Sequence, residues 1–197
     1  MRKPASAMQG AALLLFSFAL GTPASGQEGT ALRAHLDLEP SGMVTGVLDG
    51  SATAVGGGAL LSLGGPVAFG GEGWLFTGGL DLDGAEGGTG LRLHMAYAGV
   101  STRIRLLRRN RLTLDARGLL GAGNARVQLA VVGAEIASDN FLVAAPALGL
   151  RYRLRSPVSL LAAAGYRFAV GVEDLPGVLP GQLEGFTLSV GLSSRLF

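Results

Sequence analysis

The sequence predicts an all-β fold: an eight-stranded, antiparallel, up-and-down transmembrane β-barrel preceded by a cleavable signal peptide. Three observations carry that reading. The N-terminus has the layout of an export signal. Beyond it, apolar and polar side chains alternate with period two over runs longer than the strands of soluble sheets. No stretch after the signal offers the 18 or so uninterrupted apolar residues of a membrane helix: 127–150 is broken by Gln128, Glu135, Asp139 and Asn140, and 158–172 by Arg167.

Composition narrows the classes further. The 197-residue chain is 48% hydrophobic and 15% charged, with a mean hydropathy of +0.42, the opposite of a disordered balance. Having no Cys, it has no disulfide framework, thiolate metal site, cysteine nucleophile or lipid-modified cysteine. Its 33 glycines follow no triplet period, which excludes collagen, and its length allows one domain or at most two.

The signal comes first in chain order. Arg2 and Lys3 precede the apolar run 11–20, and Ala24 and Gly26 form a small-x-small site. Cleavage after Gly26 makes residues 1–26 the signal and 27–197 the barrel domain. It removes two of the 16 basic residues and none of the 14 acidic ones. The remaining 171 residues are formally neutral, so the basic whole-chain pI makes no case for nucleic-acid binding.

The strands follow. Over 32–39, Leu32, Ala34, Leu36 and Leu38 alternate with Arg33, His35, Asp37 and Glu39. Weaker runs cover 53–63, which is Gly-rich, and 72–83, where Trp74, Phe76, Leu80 and Leu82 oppose Gly73, Thr77, Asp81 and Asp83. In 91–107 the apolar parity flips, from Leu91, Leu93 and Met95 to Ala98, Val100, Ile104 and Leu106, which predicts a bulge near 97–99. Near 111–122, Leu112, Leu114 and Ala116 oppose Thr113, Asp115 and Arg117. Three long alternations close the chain, over 141–155, 158–171 and 186–196. The expected connections are long at 41–51, shorter at 64–71, then 83–90, tight at 108–111, long at 123–139, tight at 155–157 and long at 172–184. About 21 residues per strand and connection leave room for the roughly 9 to 11 that a tilted strand needs to cross a bilayer.

Alternation alone does not say which face meets water. The polar face is crowded with Gly, Ser, Thr and Ala, with Arg, Asp and Glu set among them, as the narrow lumen of an eight-stranded barrel requires. A solvent face would carry Lys, and residues 27–197 have none. Closure also satisfies every backbone group, as lipid demands. The apolar face is therefore expected to point outward. Its aromatic girdle candidates are Trp74, Phe76, Tyr152, Tyr166, Phe168 and Phe186.

With these features the chain resembles the eight-stranded outer-membrane β-barrels of the OmpA/OmpX type found in Gram-negative bacteria. The most specific local match is the C-terminus, 191–197, ending in Leu196 and Phe197. In that family a terminal aromatic helps the barrel-assembly machinery recognise the last strand. Here Phe197 falls one place out of register with the apolar positions 186, 188, 190, 192 and 196, so Leu196 is the alternative for the outward role. The resemblance implies export to the outer membrane, a monomer, and partners in outer-membrane lipid, lipopolysaccharide and the assembly machinery. Some relatives carry a peptidoglycan-binding second domain, which is not expected here.

With the N-terminus periplasmic, the long connections carry Asp49, Glu86, Glu135, Asp139, Glu173 and Glu184, and the other end carries Arg103, Arg105, Arg108, Arg109, Arg111, Arg153 and Arg155. The lumenal charge network is expected to comprise Arg33, His35, Asp37, Glu39, Asp81, Arg92, His94, Arg103, Asp115, Arg117, Arg151 and Arg167. Such charges either pair in a packed lumen, the preferred reading, or form a cation-attracting vestibule above a constriction. No catalytic, metal or cofactor residue is assigned. The only histidines, His35 and His94, sit in no recognisable motif, and Gly56-Gly57-Gly58 lacks the lysine of a phosphate loop. A structural or surface-interaction barrel is thus expected. The alternatives are a narrow small-solute pore, a soluble periplasmic barrel binding a hydrophobic ligand, and a lipid-modifying enzyme.

Overall fold

The structure is a computed structural model, and it describes residues 34–48, 50–78, 80–81, 90–129, 133–172, 175–178 and 181–196. The expected signal 1–26, Arg33 and Phe197 lie outside the described residues, as do the side chains of Leu80 and Asp81. The strands are β1 (His35–Val47), β2 (Gly50–Ser62), β3 (Val67–Thr77), β4 (Leu80–Asp81), β5 (Leu91–Arg109), β6 (Leu112–Leu129), β7 (Glu135–Arg155), β8 (Val158–Val170) and β9 (Gly185–Arg195). All pairings are antiparallel between chain neighbours, and β1 pairs with β9 while β3 pairs with β5. The two-residue β4 continues the edge of β3 along β5, so the sheet is a closed barrel of eight strands.

One end of the barrel holds the connections at 63–66, 110–111 and 156–157; the other holds 48–49, 78–90, 130–134 and 171–184. We call these the turn end and the loop end. Asn110 sits in the two-residue turn between β5 and β6 with φ of 53°, a conformation that Asn tolerates better than most residues.

The apolar faces point outward, as expected. Val100, Leu120, Leu142, Leu148, Phe186, Leu188 and Val190 are all more than half exposed, whereas Asp37, Glu39 and Asp115 on the opposite faces are 1% exposed. On β8 the outward row runs unbroken from Val158 to Val170. At about 3.3 Å per residue and a tilt near 40°, that row rises about 30 Å along the axis, the thickness of a hydrocarbon core. Such a belt is incompatible with water. The soluble barrel with its aliphatic face around a ligand cavity is therefore inverted relative to the structure.

Several expected boundaries move. The long connection placed at 41–51 is only the turn 48–49, because β1 and β2 pair without interruption from His35↔Ser62 to Val47↔Gly50. The one placed at 123–139 contracts to 130–134, since β6 and β7 run on to Leu129 and from Glu135. The bulge expected near 97–99 is absent there: β5 and β6 stay in register from Leu91↔Leu129 to Arg105↔Asp115, and the irregularity falls at Leu106. The parity flip has a different cause. Leu93 and Met95 point inward with 0% and 2% exposure, while Val100 and Ile104 point outward. Strands β5, β6 and β7 are 19, 18 and 21 residues long against 11 to 13 for β1, β2, β3, β8 and β9, and they project past their neighbours at the loop end. There the sheet has the polarity of a soluble protein, apolar inside and polar outside. Along a single strand the apolar face changes side without a change of register.

The same change misplaces two girdle candidates. Trp74 and Phe76 are buried in the lumen, at 8% and 5% exposure, whereas Tyr152, Phe168 and Phe186 face outward. Tyr166 packs between Phe168 and Phe186, with ring centroids 4.7 and 5.2 Å away.

Large lumenal rings need small partners across the strand. Gly56 is paired with Trp74 and Gly123 with Phe141. A Cβ on Gly123 would stand 2.3 Å from Phe141 Cζ and 2.7 Å from the carbonyl oxygen of Ala96. Gly123→Ala is accordingly expected to destabilise the barrel by about 1–3 kcal/mol, the usual cost of overpacking a filled core. Urea unfolding in lipid vesicles measures it, and an unchanged midpoint would show that the ring has room to yield.

Candidate functional site

The lumen has two layers. The one nearer the turn end is ionic. Asp37 and Glu39 from β1, Glu72 from β3 and Asp115 from β6 meet Arg103 from β5, Arg117 from β6, Arg151 from β7 and Arg195 from β9. Arg103 donates to both Asp37 Oδ2 and Glu39 Oε1. Arg117 Nη2 donates to Glu39 Oε2 at 2.6 Å and lies 3.6 Å from Glu72 Oε2. Arg151 Nη2 donates to Asp115 Oδ2 at 3.0 Å and stands 3.5 Å from Glu39 Oε1. Arg195 Nε donates to Asp37 Oδ1 at 3.3 Å. Glu72 is held by the indole N–H of Trp74 at 2.8 Å and by Ser101 Oγ at 2.9 Å. Four carboxylates thus face four guanidiniums. Apart from Arg195, which is partly exposed, these charges are so deeply buried that they are tolerable only when matched in this way.

The layer nearer the loop end is apolar. Met43, Trp74, Phe76, Leu93, Met95, Tyr97, Val127, Phe141 and Val143 pack together, and Val172, Leu175, Val178 and Leu183 from the 171–184 connection fold in over them. One charge is embedded here. Arg167, 0% exposed, donates through Nε to Leu183 O at 2.9 Å, through Nη1 to Thr45 Oγ1 at 3.1 Å and through Nη2 to Gly46 O at 3.2 Å. Its Cζ lies 5.1 Å from the Phe76 ring centroid and 6.0 Å from that of Tyr97. Between the layers remains a cavity of about 40 Å³ lined by Glu39, Met43, Glu72, Trp74, Tyr97 and Arg117. That is space for a few water molecules.

Of the twelve residues expected in the lumenal network, Asp37, Glu39, Arg103, Asp115, Arg117 and Arg151 join it. His35 lines the open turn end of the lumen rather than the ion-paired layer. Arg167 is lumenal but belongs to the apolar layer, bonded to backbone and a hydroxyl instead of a carboxylate. Arg92 and His94 are a correction. They alternate with the buried Leu93 and Met95, so they stand on the outer face of the projecting wall, opposite Gln128 and Arg126. Arg33 and the Asp81 side chain fall outside the described residues. Glu72 and Arg195 were not anticipated. Glu72 shares its face with Trp74 and Phe76, which read as outward, so a carboxylate beside them had no expected partner. Leu196 keeps the outward parity at 52% exposure and donates its backbone N–H to Leu36 O at 2.9 Å. The two histidines stand at opposite ends of the barrel, His35 at the start of β1 and His94 near the start of the antiparallel β5, and share no site. Among the described residues no group of three His, Asp or Glu side chains is placed to hold a metal.

No protein-family model and no curated protein matches the sequence. Solved structures do. Neisserial surface protein A superposes with a TM-score of 0.61 at 13% identity, over 83% of this chain and 97% of that one. A major outer membrane protein of Thermus thermophilus gives 0.55 at 14% identity, over 83% and 99%. Ail, the attachment invasion locus protein of Yersinia pestis, gives 0.52 at 12% identity, over 83% and 97%, in its complex with the heparin analogue sucrose octasulfate. The fold of this chain is that of the eight-stranded outer-membrane β-barrels.

Proposed function

We propose that the protein is an integral outer-membrane barrel, exported by its N-terminal signal, that carries no solute through its lumen and acts as a structural or surface-interaction protein. The observation that carries this is the double filling of the lumen, an ion-paired layer beneath an apolar one, with only about 40 Å³ of cavity between them. An aqueous path needs a continuous polar bore. Here the loop-end half is filled by Leu93, Met95 and Phe141 and covered by Val172, Leu175, Val178 and Leu183. The outward apolar belt and the likeness to outer-membrane barrels support the location.

The projecting β5–β7 wall supplies the surface. Its outer face carries Arg92, His94, Asn124, Arg126, Gln128 and Asn140, above the apolar belt. This is the height at which headgroups and lipopolysaccharide would be met, and these lipids are the partners proposed for the wall. The C-terminal strand, ending in Leu196 and Phe197, is proposed as the contact for the assembly machinery, and a monomer as the working state.

Planar-bilayer recording tests the central claim. Refolded protein is expected to give no steady single-channel steps. Reproducible steps of one size would sink the closed-lumen reading and reinstate the narrow pore.

A further inference from the structure

The turn end holds a feature that the packed lumen does not use. A cavity of about 420 Å³ opens there, walled by the turns at Gly64, Arg111 and Pro157 and by the inward faces of the strands. Six arginines line it, Arg105, Arg108, Arg111, Arg151, Arg153 and Arg195, against a single carboxylate, Asp37. Asp37 is already engaged, hydrogen-bonded to Arg103 and Arg195 and 3.7 Å from Arg151. Among the described residues, Arg105, Arg108, Arg111 and Arg153 have no carboxylate within 4 Å. The layer above is balanced at four against four, so among the described residues these four charges have no acid to offset them.

A wall built only for stability would interleave acids with its arginines, as the neighbouring layer does. This one instead adds hydroxyls, Ser62, Thr113, Ser159 and Ser193. Arg151, on the boundary between layer and cavity, also keeps its buried Nε without an acceptor. Forked guanidinium donors in a half-enclosed site, with hydroxyl donors between them, match the tetrahedral oxygens of phosphate. Partial enclosure also weakens screening by salt. We infer that this vestibule binds a multiply charged, phosphate-bearing anion. With the N-terminus, and hence the turn end, on the periplasmic side, the anion arrives from the periplasm. It is either a soluble polyphosphorylated molecule or the headgroup of an anionic phospholipid in the inner leaflet. The binding itself does not depend on whether the lumen conducts.

The test is calorimetric titration of the full chain, refolded in non-ionic detergent, with sodium tripolyphosphate. Saturable binding near one per barrel is expected, weakening as salt is raised. It should fall at least tenfold in Arg108→Gln/Arg111→Gln, whose positions are exposed and free of ion pairs, and be unchanged in Arg126→Gln on the outer wall. Heat-modifiable migration shows that each variant is folded, and Arg105→Gln/Arg153→Gln provides a second pair. No saturable heat, equal binding by either vestibule pair, or equal affinity for citrate would overturn the inference. Repeating the titration in nanodiscs separates the sources. Suppression in phosphatidylglycerol but not phosphatidylcholine assigns the site to the lipid headgroup, and equal binding in both assigns it to a soluble anion.

Discussion

Glu39→Ala is expected to cost the barrel about 3–5 kcal/mol, the loss found when one member of a buried ion-paired set is removed and its partners are stranded. Glu39 is 1% exposed and faces three guanidiniums, those of Arg103, Arg117 and Arg151. Without it three carboxylates face four guanidiniums: Arg103 must share Asp37 with Arg195, Arg151 keeps Asp115, and Arg117 keeps only Glu72, 3.6 Å away and already held by Trp74 and Ser101. Glu39→Gln keeps the volume and one acceptor oxygen and should lose less. The double variant Glu39→Leu/Arg103→Met should recover much of the loss, because matched apolar groups need no desolvated charge. Urea unfolding in lipid vesicles, followed by tryptophan fluorescence of the single Trp74, reports all three. A Glu39→Ala midpoint equal to wild type would mean that the ionic layer fills the lumen without holding it together. A double variant no better than the single one would mean that packing, rather than stranded charge, sets the cost.

That layer was largely legible in the sequence, for a physical reason. Through the height of the apolar belt a barrel strand must put aliphatic groups outside, so the alternating residues are lumenal by elimination. Leu142, Leu148 and Leu150 against Gly149 and Arg151, or Leu112 and Leu114 against Thr113 and Asp115, leave one assignment for each face, and the structure agrees. Arg103, Asp115, Arg117 and Arg151 follow at once, and on β1 Leu38 places Asp37 and Glu39.

The rule fails at the loop end because its premise fails. Past the belt the lumen is apolar and the wall is polar, so Leu93 and Met95 read as outward and their neighbours Arg92 and His94 as lumenal. Trp74 and Phe76 mislead in the same way and hide Glu72, which shares their face. The signal that would have found the change is coordinated: the outward row turns polar at His94 on β5, at Asn124 on β6 and at Asn140 on β7, three adjacent strands at one height. A bulge in one strand would not repeat in its neighbours. The inward fold of 171–184 was not legible either, because Val172, Leu175, Val178 and Leu183 keep neither period and are recruited by the apolar floor they cover.

Besides its apolar packing and one backbone bond, from Leu48 N–H to Gln182 O at 2.9 Å, that cover is tied down by a single buried cation, and Arg167→Met should loosen it. The methionine would restore apolar volume against Phe76 and Tyr97, but it makes none of the three hydrogen bonds to Leu183 O, Thr45 Oγ1 and Gly46 O. Two of those acceptors belong to different parts of the loop-end mouth: Leu183 to the 171–184 connection and Gly46 to the last stretch of pairing on β1. Arg167 therefore ties the connection to the barrel wall. With hydrogen bonds from a charged donor worth about 1.5–3 kcal/mol each, and cation–π contact added when desolvated, the tie is worth several kcal/mol locally. The ionic layer lies deeper and does not touch it, so global unfolding should move less than the accessibility of 171–184. Limited proteolysis of refolded protein separates the two. Cleavage within 171–184 is expected to quicken at least tenfold in Arg167→Met while the heat-modifiable band persists. If cleavage is unchanged, the connection is held by the packing of Val172, Leu175, Val178 and Leu183 and by the bond from Leu48 N–H to Gln182 O at 2.9 Å, and the buried arginine serves only to fill the space between two rings. If the band is lost as well, Arg167 supports the whole barrel. Arg167→Lys then discriminates charge from fork, since a lysine keeps the charge but gathers its donors on one nitrogen and, lacking the planar fork, cannot bridge connection and wall together.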